Sequence, residues 1–424
     1  MLKVFNTDNQ DTFKLKALQW ANFFANVCYF DSNHYSDPYS AFDVLIGAGV
    51  KKQMNSDGNK AFKKLKDFLE SESGFLPGFF SYDLKNEIEN LHSENPDYLK
   101  FPEIHFFVPE HLLILSAGTV KIFSDTPDSV WHNINNIQLS EFGHEGLKPE
   151  IKSRFSRDEY IETVREIQKH IQRGDIYEIN FCQEFYAENI QIDPLKIFKS
   201  LNSISPTPFA SYFKIDDLYI ISATPERFLS RRKNKLISQP IKGTRPRNAD
   251  ISLDESQKLQ LLNDEKERAE NVMIVDLVRN DLTKSAKSGT VKVEELLGLY
   301  SFKQVHQLIS TVVCESREGL SNPEIIANTF PMGSMTGAPK ISAMQLAEKY
   351  ERSKRGVYSG AVGYFSPDGD FDFNVVIRTI LYNSSLKYLS FHTGSAITLD
   401  SDPVKEYEEC ILKAKAITEV LNQG

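Results

Sequence analysis

Between Ala210 and Pro240 the chain reads as four short strand-like runs, Ala210–Lys214, Leu218–Ile221, Arg227–Arg231 and Lys235–Pro240, with only a few residues between neighbours. That spacing is the strongest constraint on the fold. A parallel crossover needs a dozen residues or more, usually a helix, whereas a hairpin needs only a tight turn. The runs are therefore expected to connect as hairpins. A further run, Tyr177–Phe185, precedes them, and Ala41–Ile46 and Leu112–Leu115 add strand-like pieces nearer the N-terminus. Helical patterns are interspersed. One is the Lys-rich amphipathic stretch near Lys60–Leu69. A second runs to about Gln172, where Ser156-Arg157-Asp158-Glu159 has the form of a capping box and Gly174 supplies the stop. A third covers roughly Lys266–Arg279. The last starts at Asp402-Pro403, an N-cap followed by proline in the first turn, and runs to about Leu421. Strands and helices mixed in this way predict an α+β architecture rather than a doubly wound parallel sheet.

A chain of 424 residues has room for a large core, as one α/β unit or as two or three domains. The stretch Trp131–Ser153 has no clear periodicity and several polar breaks, so a boundary is expected there, dividing residues 1–150 from 151–424. A net charge of −9 with no basic block argues against nucleic acid and anionic membrane as partners. No apolar run reaches membrane-spanning length, since Glu110 and His111 interrupt the best candidate, Phe106–Ala117. Met1-Leu2-Lys3-Val4-Phe5 passes straight into polar Asn6-Thr7-Asp8, so no signal peptide is expected. The four cysteines, Cys28, Cys182, Cys314 and Cys410, are scattered singly, which fits neither a metal knuckle nor a disulfide framework. A reducing cytoplasm is the expected setting.

Three groups of residues point to chemistry. The first is Pro240-Ile241-Lys242-Gly243-Thr244-Arg245-Pro246-Arg247, which places one amine in a Pro/Gly-bounded turn. Most lysines are solvated; if this turn lines a pocket instead, desolvation lowers the pKa of Lys242 and the neutral amine becomes a nucleophile. The second is a pair of helices that each carry glutamates at i, i+3, Glu267/Glu270 and Glu406/Glu409. Each pair lies on one helix face. Such faces are usually solvated, but two brought together repel unless a divalent cation lies between them, and Mg²⁺ suits a site of carboxylate oxygens. Lys413 follows Glu409 at i, i+4, which alone is a minor helix ion pair. The third group comprises small-residue loops, Pro331–Lys340 and His392–Ala396, able to present backbone amides to an anion. Arg378, at the end of the strand-like run Phe373–Thr379, is either a bidentate clamp for a carboxylate or a structural salt bridge. His306, in a mixed apolar segment, is by default a core histidine.

Taken in order, these motifs resemble the chorismate-utilising enzymes, which include anthranilate, aminodeoxychorismate, isochorismate and salicylate synthases. The resemblance runs from about Ser156 to Leu421. It rests on Gly174-Asp175-Ile176-Tyr177, Thr224-Pro225-Glu226-Arg227-Phe228, the Lys242 segment, Lys266-Glu267-Arg268-Ala269-Glu270, Asp276–Leu282, Gly333–Lys340, Arg355–Gly363 and Glu406-Tyr407-Glu408-Glu409. A weaker match is Gly78–Leu84. The resemblance implies two β-sheets packed face to face with helices outside, chorismate as substrate and Mg²⁺ as cofactor. It implies Glu270 and Glu409 as metal ligands, with Glu267 and Glu406 supporting them through water. Tyr358 and Arg378 would hold the pyruvyl carboxylate. Lys413 and amides near Gly394 would hold the ring end, with Gly243, Thr244, Thr336 and Ser395 also in contact with substrate. His306 is expected near the departing 4-hydroxyl and Glu226 as a general acid/base.

Within the family, the lysine that activates water in isochorismate and salicylate synthases is replaced here by Glu178, and the alanine of anthranilate synthases by Lys242. Aminodeoxychorismate synthases of the covalent type carry lysine in that segment. The resemblance therefore implies amination of chorismate at C4 through a Lys242 adduct, in 4-aminobenzoate and folate synthesis, with ammonia from a separate glutamine amidotransferase subunit. Amination at C2, as in anthranilate synthase component I, is the alternative. Two departures stand out: Glu178 where the family often has Gln, and Ala396 where it has a second glycine.

Overall fold

The computed structural model of the protein describes residues 1–139 and 149–423. Two antiparallel sheets form the body of the molecule. From one edge, the larger runs Leu2–Asn6, Thr119–Phe123, His111–Ser116, Val44–Ala48, Asn26–Asp31, Phe209–Ile215, Leu218–Thr224, Thr379–Asn383, Tyr388–Ile397, Glu178–Ala187 and Gly337–Ala338. The smaller runs Ile241–Pro246, Val305–Glu315, Lys235–Gln239, Arg227–Arg232, Phe371–Val375, Ala361–Phe365, Leu76–Phe80, Ile104–Val108 and Lys52–Ser56. The sheets meet through apolar side chains. Phe213 of the larger sheet sets its ring edge-on against Phe79 and Phe107 of the smaller, with centroids 5.8 Å apart in each case. Helices close the outside. Gln10–Ala21, Pro127–Asn136, Pro194–Ile204 and Pro403–Gln423 bury Leu18, Ile134, Phe198 and Ile417 in one cluster behind the larger sheet. This is the α+β architecture of face-to-face sheets that the sequence implied. Among the described residues, no helix is long and apolar enough to cross a membrane.

The helix-start and helix-stop residues of the sequence cap helices in the structure. Ser156 caps the helix Arg157–Arg173 with a complete capping box, and Gly174 ends it in the left-handed conformation at φ 85°. Asp402 accepts from the amides of Val404 and Lys405 at the start of Pro403–Gln423. The hairpin reading needs correction at one joint. Phe209–Ile215 pairs with Leu218–Thr224, and Arg227–Arg232 with Lys235–Gln239, but between these two hairpins the chain changes sheet through Pro225-Glu226. Pro225 has no amide to give a ladder, which suits a residue between sheets. The chain crosses back at Val376–Arg378, between Phe371–Val375 and Thr379–Asn383. The two crossings lie side by side: Val375 N donates to Glu226 O at 3.0 Å and Ala223 N to Arg378 O at 3.2 Å.

The Lys242 segment is also not a free turn. Ile241–Pro246 is an edge strand on Val305–Glu315, and its register slips between Ile241 and Thr244. The expected domain boundary falls against residues 140–148, which lie outside the described residues. On the described residues, both sheets contain strands from either side of it.

Candidate active site

The crossings, the edge strand and two helices enclose a cavity of about 600 Å³. Every site residue expected from the sequence lines it except His306 and Thr336. His306 is fully buried behind the wall, with Nε2 2.9 Å from Asp254 Oδ1 and Nδ1 2.8 Å from Ser301 Oγ. Both ring nitrogens are used in structure, so nothing remains for a hydroxyl in the cavity. Its neighbour Gln307 faces the cavity instead, because successive strand residues point to opposite faces. Gln307 Nε2 lies 3.4 Å from Thr244 Oγ1, and its Oε1 is buried without a partner. Strand alternation was the signal that would have found it. Thr336 turns its hydroxyl back onto Met332 O and Gly333 O, and contributes to the loop rather than to the lining.

Lys242 is held on one wall. Its Nζ donates to Glu178 Oε1 at 3.2 Å, and its carbonyl accepts from Asn271 Nδ2 at 3.3 Å. Ser310 Oγ in turn fixes Asn271 at 2.6 Å, tying the strand to the helix Glu265–Thr283. Gly243 makes the approach possible: its φ is +96°, and a Cβ there would lie 3.2 Å from Leu261 and 3.3 Å from Leu308. The expected neutral amine is not what the surroundings favour. Burial alone would lower the Lys242 pKa, but Glu178, Glu270 and Glu226 outweigh it and hold the ammonium well above the ordinary lysine value. Glu178, the departure from the family pattern, is thus paired rather than a bare charge facing an anion.

Glu226 sits opposite, at the first crossing. Burial pushes its carboxyl up to about 7, although Ser334 Oγ, 2.6 Å away, and Lys242 pull it down. Ser334 comes from the Gly-rich loop, which is anchored outside the cavity. Lys340 Nζ binds Asp281 Oδ2 at 2.5 Å, and Arg355 Nη1 binds Met335 O at 2.6 Å.

Arg378, at the second crossing, carries φ +51°, a left-handed conformation rare for a side chain of this size and common where function fixes the backbone. Among the described residues its guanidinium has no ion-pair partner. A half-buried, unpaired guanidinium facing a cavity is prepared for an anion. A second set of donors lies on the strand Tyr388–Ile397. Thr379–Asn383 pairs with it only as far as Ser390, so beyond that point one edge is open. Gly394 is opposite Cys182 on the other side, but Cys182 N bonds Glu351 and Gly394 O accepts Lys413 Nζ at 2.8 Å. The pair is of the non-hydrogen-bonded kind, so the Gly394 and Ala396 amides point to the open edge. Cβ at Ala396 is compatible with this, whereas a Cβ at Gly394 would meet Cys182 Sγ and Phe181 O at 2.6 Å. Tyr358 lines the same end, stacked on His392 with ring centroids 4.9 Å apart.

The two glutamate helices supply the remaining wall. Glu406 and Glu270 lie 3.3 and 3.7 Å from Lys266, Glu267 lies 3.8 Å from Arg245, and Glu409 lies 2.6 Å from Lys413. Burial pushes Glu270 up to about 7, with Glu178 and Glu267 adding to the rise and Lys242 opposing it. Burial raises Glu267 as well, and Glu409 adds to the rise. Among the described residues no three acidic, cysteine or histidine side chains converge closely enough to form a preassembled metal cluster. Mg²⁺ nevertheless fits the donor set. It commonly takes only one or two carboxylates together with water and substrate, all donors here are oxygens, and Glu270 Oε1 is buried without a hydrogen bond.

The family described as chorismate binding enzyme matches residues 25–419 of the chain. Anthranilate synthase component 1 of Saccharolobus solfataricus is 35% identical over 84% of this chain and 82% of its own length. Aminodeoxychorismate synthase component 1 of Escherichia coli is 30% identical over 97% of this chain and 95% of its own. Among solved structures, anthranilate synthase component I from Streptococcus pneumoniae superposes with a TM-score of 0.78 at 26% identity, covering 91% of this chain and 93% of that one.

Proposed function

The chain belongs to the chorismate binding enzyme family, and from that premise we propose that it aminates chorismate at C4, as an aminodeoxychorismate synthase, through a transient bond to Lys242. The observation that carries this reading is the position of Lys242 Nζ, on the cavity wall with Glu226 and Glu270 around it. Addition of Nζ at C2 moves the ring double bonds along and expels the 4-hydroxyl. Glu226, whose carboxyl at about 7 still holds a proton near neutral pH, gives that proton to the leaving oxygen. Ammonia then adds at C4, the double bonds return, the C2–Nζ bond breaks, and Glu226 recovers a proton from the new amine. Arg378 and Tyr358 would hold one substrate carboxylate, and the Gly394 and Ala396 amides the other. Glu270 and Glu409 would hold Mg²⁺, with Glu267 and Glu406 behind them, and the bound ion would neutralise and orient a substrate carboxylate. Ammonia would come from a separate glutamine amidotransferase subunit in the folate branch.

Chromatography of products after incubation with chorismate, ammonium and Mg²⁺ tests the reading. The para-aminated product is expected, and Lys242→Ala is expected to lower its rate by more than about a hundredfold. Formation of the ortho isomer by the unmodified protein would instead place it with the anthranilate synthases. A Lys242→Ala protein with full para activity would remove the covalent step.

A further inference from the structure

A cavity lysine held as an ammonium has no lone pair with which to add to a ring. Whatever activates Lys242 must first take a proton from Nζ. Three carboxyl groups face it: Glu226 from the first sheet crossing, Glu270 from the helix Glu265–Thr283, and Glu178 from the strand Glu178–Ala187. Glu226 is occupied by Ser334 and is the group that must already hold a proton for the leaving hydroxyl. Glu270 lies beside Glu267, Lys266 and Glu409 on the wall suited to a cation. Only Glu178 accepts a hydrogen bond from Nζ itself, at 3.2 Å.

Glu178 is 1% exposed and does not line the cavity, so it lies behind the lysine and away from any substrate. Its other oxygen, Oε2, is buried with no partner. Lys242 Nζ is thus the one donor to the Glu178 carboxylate among the described residues. Position adds to this. The backbone of Glu178 is pinned in the larger sheet opposite Ala338, in the loop that also carries Ser334. The acid that serves the leaving group and the carboxylate behind the nucleophile are therefore set on one rigid frame.

We propose that Glu178 is the catalytic base for Lys242, taking the Nζ proton across the existing hydrogen bond as the lysine adds to the substrate. The inference rests on the covalent reading above. The proton balance closes over a turnover. The Nζ proton moves to Glu178, giving a neutral amine and a neutral carboxylic acid. The amine forms the Nζ–C2 bond, the C4–O bond breaks, and Glu226 supplies the proton that releases water, leaving Lys242 as a secondary ammonium. Ammonia adds at C4, the C2–Nζ pair returns to nitrogen as a neutral amine, and Glu226 takes one proton from the new C4 ammonium. Glu178 then returns its proton to Nζ, restoring the starting pair.

The test is rapid-quench mass spectrometry of the full-length protein with chorismate and Mg²⁺ and without ammonia. The unmodified enzyme is expected to gain the mass of chorismate less water on the Lys242 peptide. Glu178→Gln keeps the hydrogen bond and the volume but cannot accept the proton. It is expected to form the adduct roughly a hundredfold more slowly near neutral pH. The ratio of the two rates should shrink by up to tenfold per pH unit between about pH 6 and 8, as solvent takes over the proton. Taking the ratio cancels the titration of Glu226, which both proteins share. Glu178→Asp, which retains a carboxylate, is expected to be slower than the unmodified enzyme but to keep a pH-independent ratio to it. An adduct on the unmodified enzyme together with an undiminished rate in Glu178→Gln overturns the proposal alone, as does a pH-independent ratio for Glu178→Gln or equal loss in both variants. If the unmodified enzyme forms para product with no adduct, the covalent reading falls and this proposal with it.

Discussion

Glu226 has a proton to give because it is buried at the point where the chain leaves one sheet for the other, and that burial outweighs the pull of Ser334, the field of Lys242 and the backbone of Ile241. Its folded value of about 7 lies above the ordinary glutamate value, so the proton it needs for catalysis is present below about 7 and lost as pH rises through it. The sign for stability is the same. Between roughly pH 4.3, where an unfolded glutamate titrates, and about 7, the folded state binds more protons, so this group's contribution to stability declines as pH rises. Adduct formation measured without ammonia should therefore fall above an apparent pKa near 7. Glu226→Gln should slow it by about 10²–10⁴-fold and remove that limb of the profile. At this scale the residue types were legible, because PIKGT, the two glutamate pairs and Glu226 each stand in a recognisable run. The charge of Lys242 was not. Burial lowers the lysine pKa, and Glu178, Glu270 and Glu226, brought together from distant parts of the sequence, outweigh burial and hold the ammonium.

The edge strand Ile241–Pro246 shows how one element delivers a side chain. Its register slips at Gly243, and the positive φ there turns Lys242 toward the cavity while letting the glutamate helix approach. Gly243→Ala introduces a Cβ against Leu261 and Leu308 in a conformation that alanine resists. The expected cost is about 1–2 kcal/mol of stability, read as a lower Tm, with a larger proportional fall in kcat. Ser156→Ala removes the capping box of Arg157–Arg173, an element that does not line the cavity. It should cost about 1 kcal/mol and leave kcat unchanged. Helix ends were read from sequence because caps are local. The Lys242 segment was mistaken for a turn because Pro240 and Gly243 have the same local meaning in a turn and in a bulged edge strand, and only the pairing with Val305–Glu315 separates the two.

Across the whole molecule, the N-terminal strands complete both sheets. Asn26–Asp31 pairs with Phe209–Ile215 in one and Leu76–Phe80 with Ala361–Phe365 in the other. A fragment beginning at residue 151 would open both of these edges and uncover Phe213, which packs on Phe79 and Phe107. It is expected to aggregate or to lack a cooperative thermal transition, checked by circular dichroism and light scattering. A soluble fragment with a sharp melt would show that the C-terminal part folds alone. The two sheet crossings, which place Glu226 and Arg378 beside each other, belong to this scale, since each pairs strands far apart in the chain.

Local chemistry in the chain was enough to fix the α+β class, the helix ends, the acidic pairs and the family to which the motifs belong. Each of these depends on neighbours within a few residues or on the order of motifs. Tertiary structure alone decided that His306 is spent on Asp254 and Ser301, that Gln307 takes the cavity face, and that Lys242 is a cation against Glu178. Such outcomes depend on which distant groups share a low-dielectric space, and that is set by sheet pairing rather than by sequence distance.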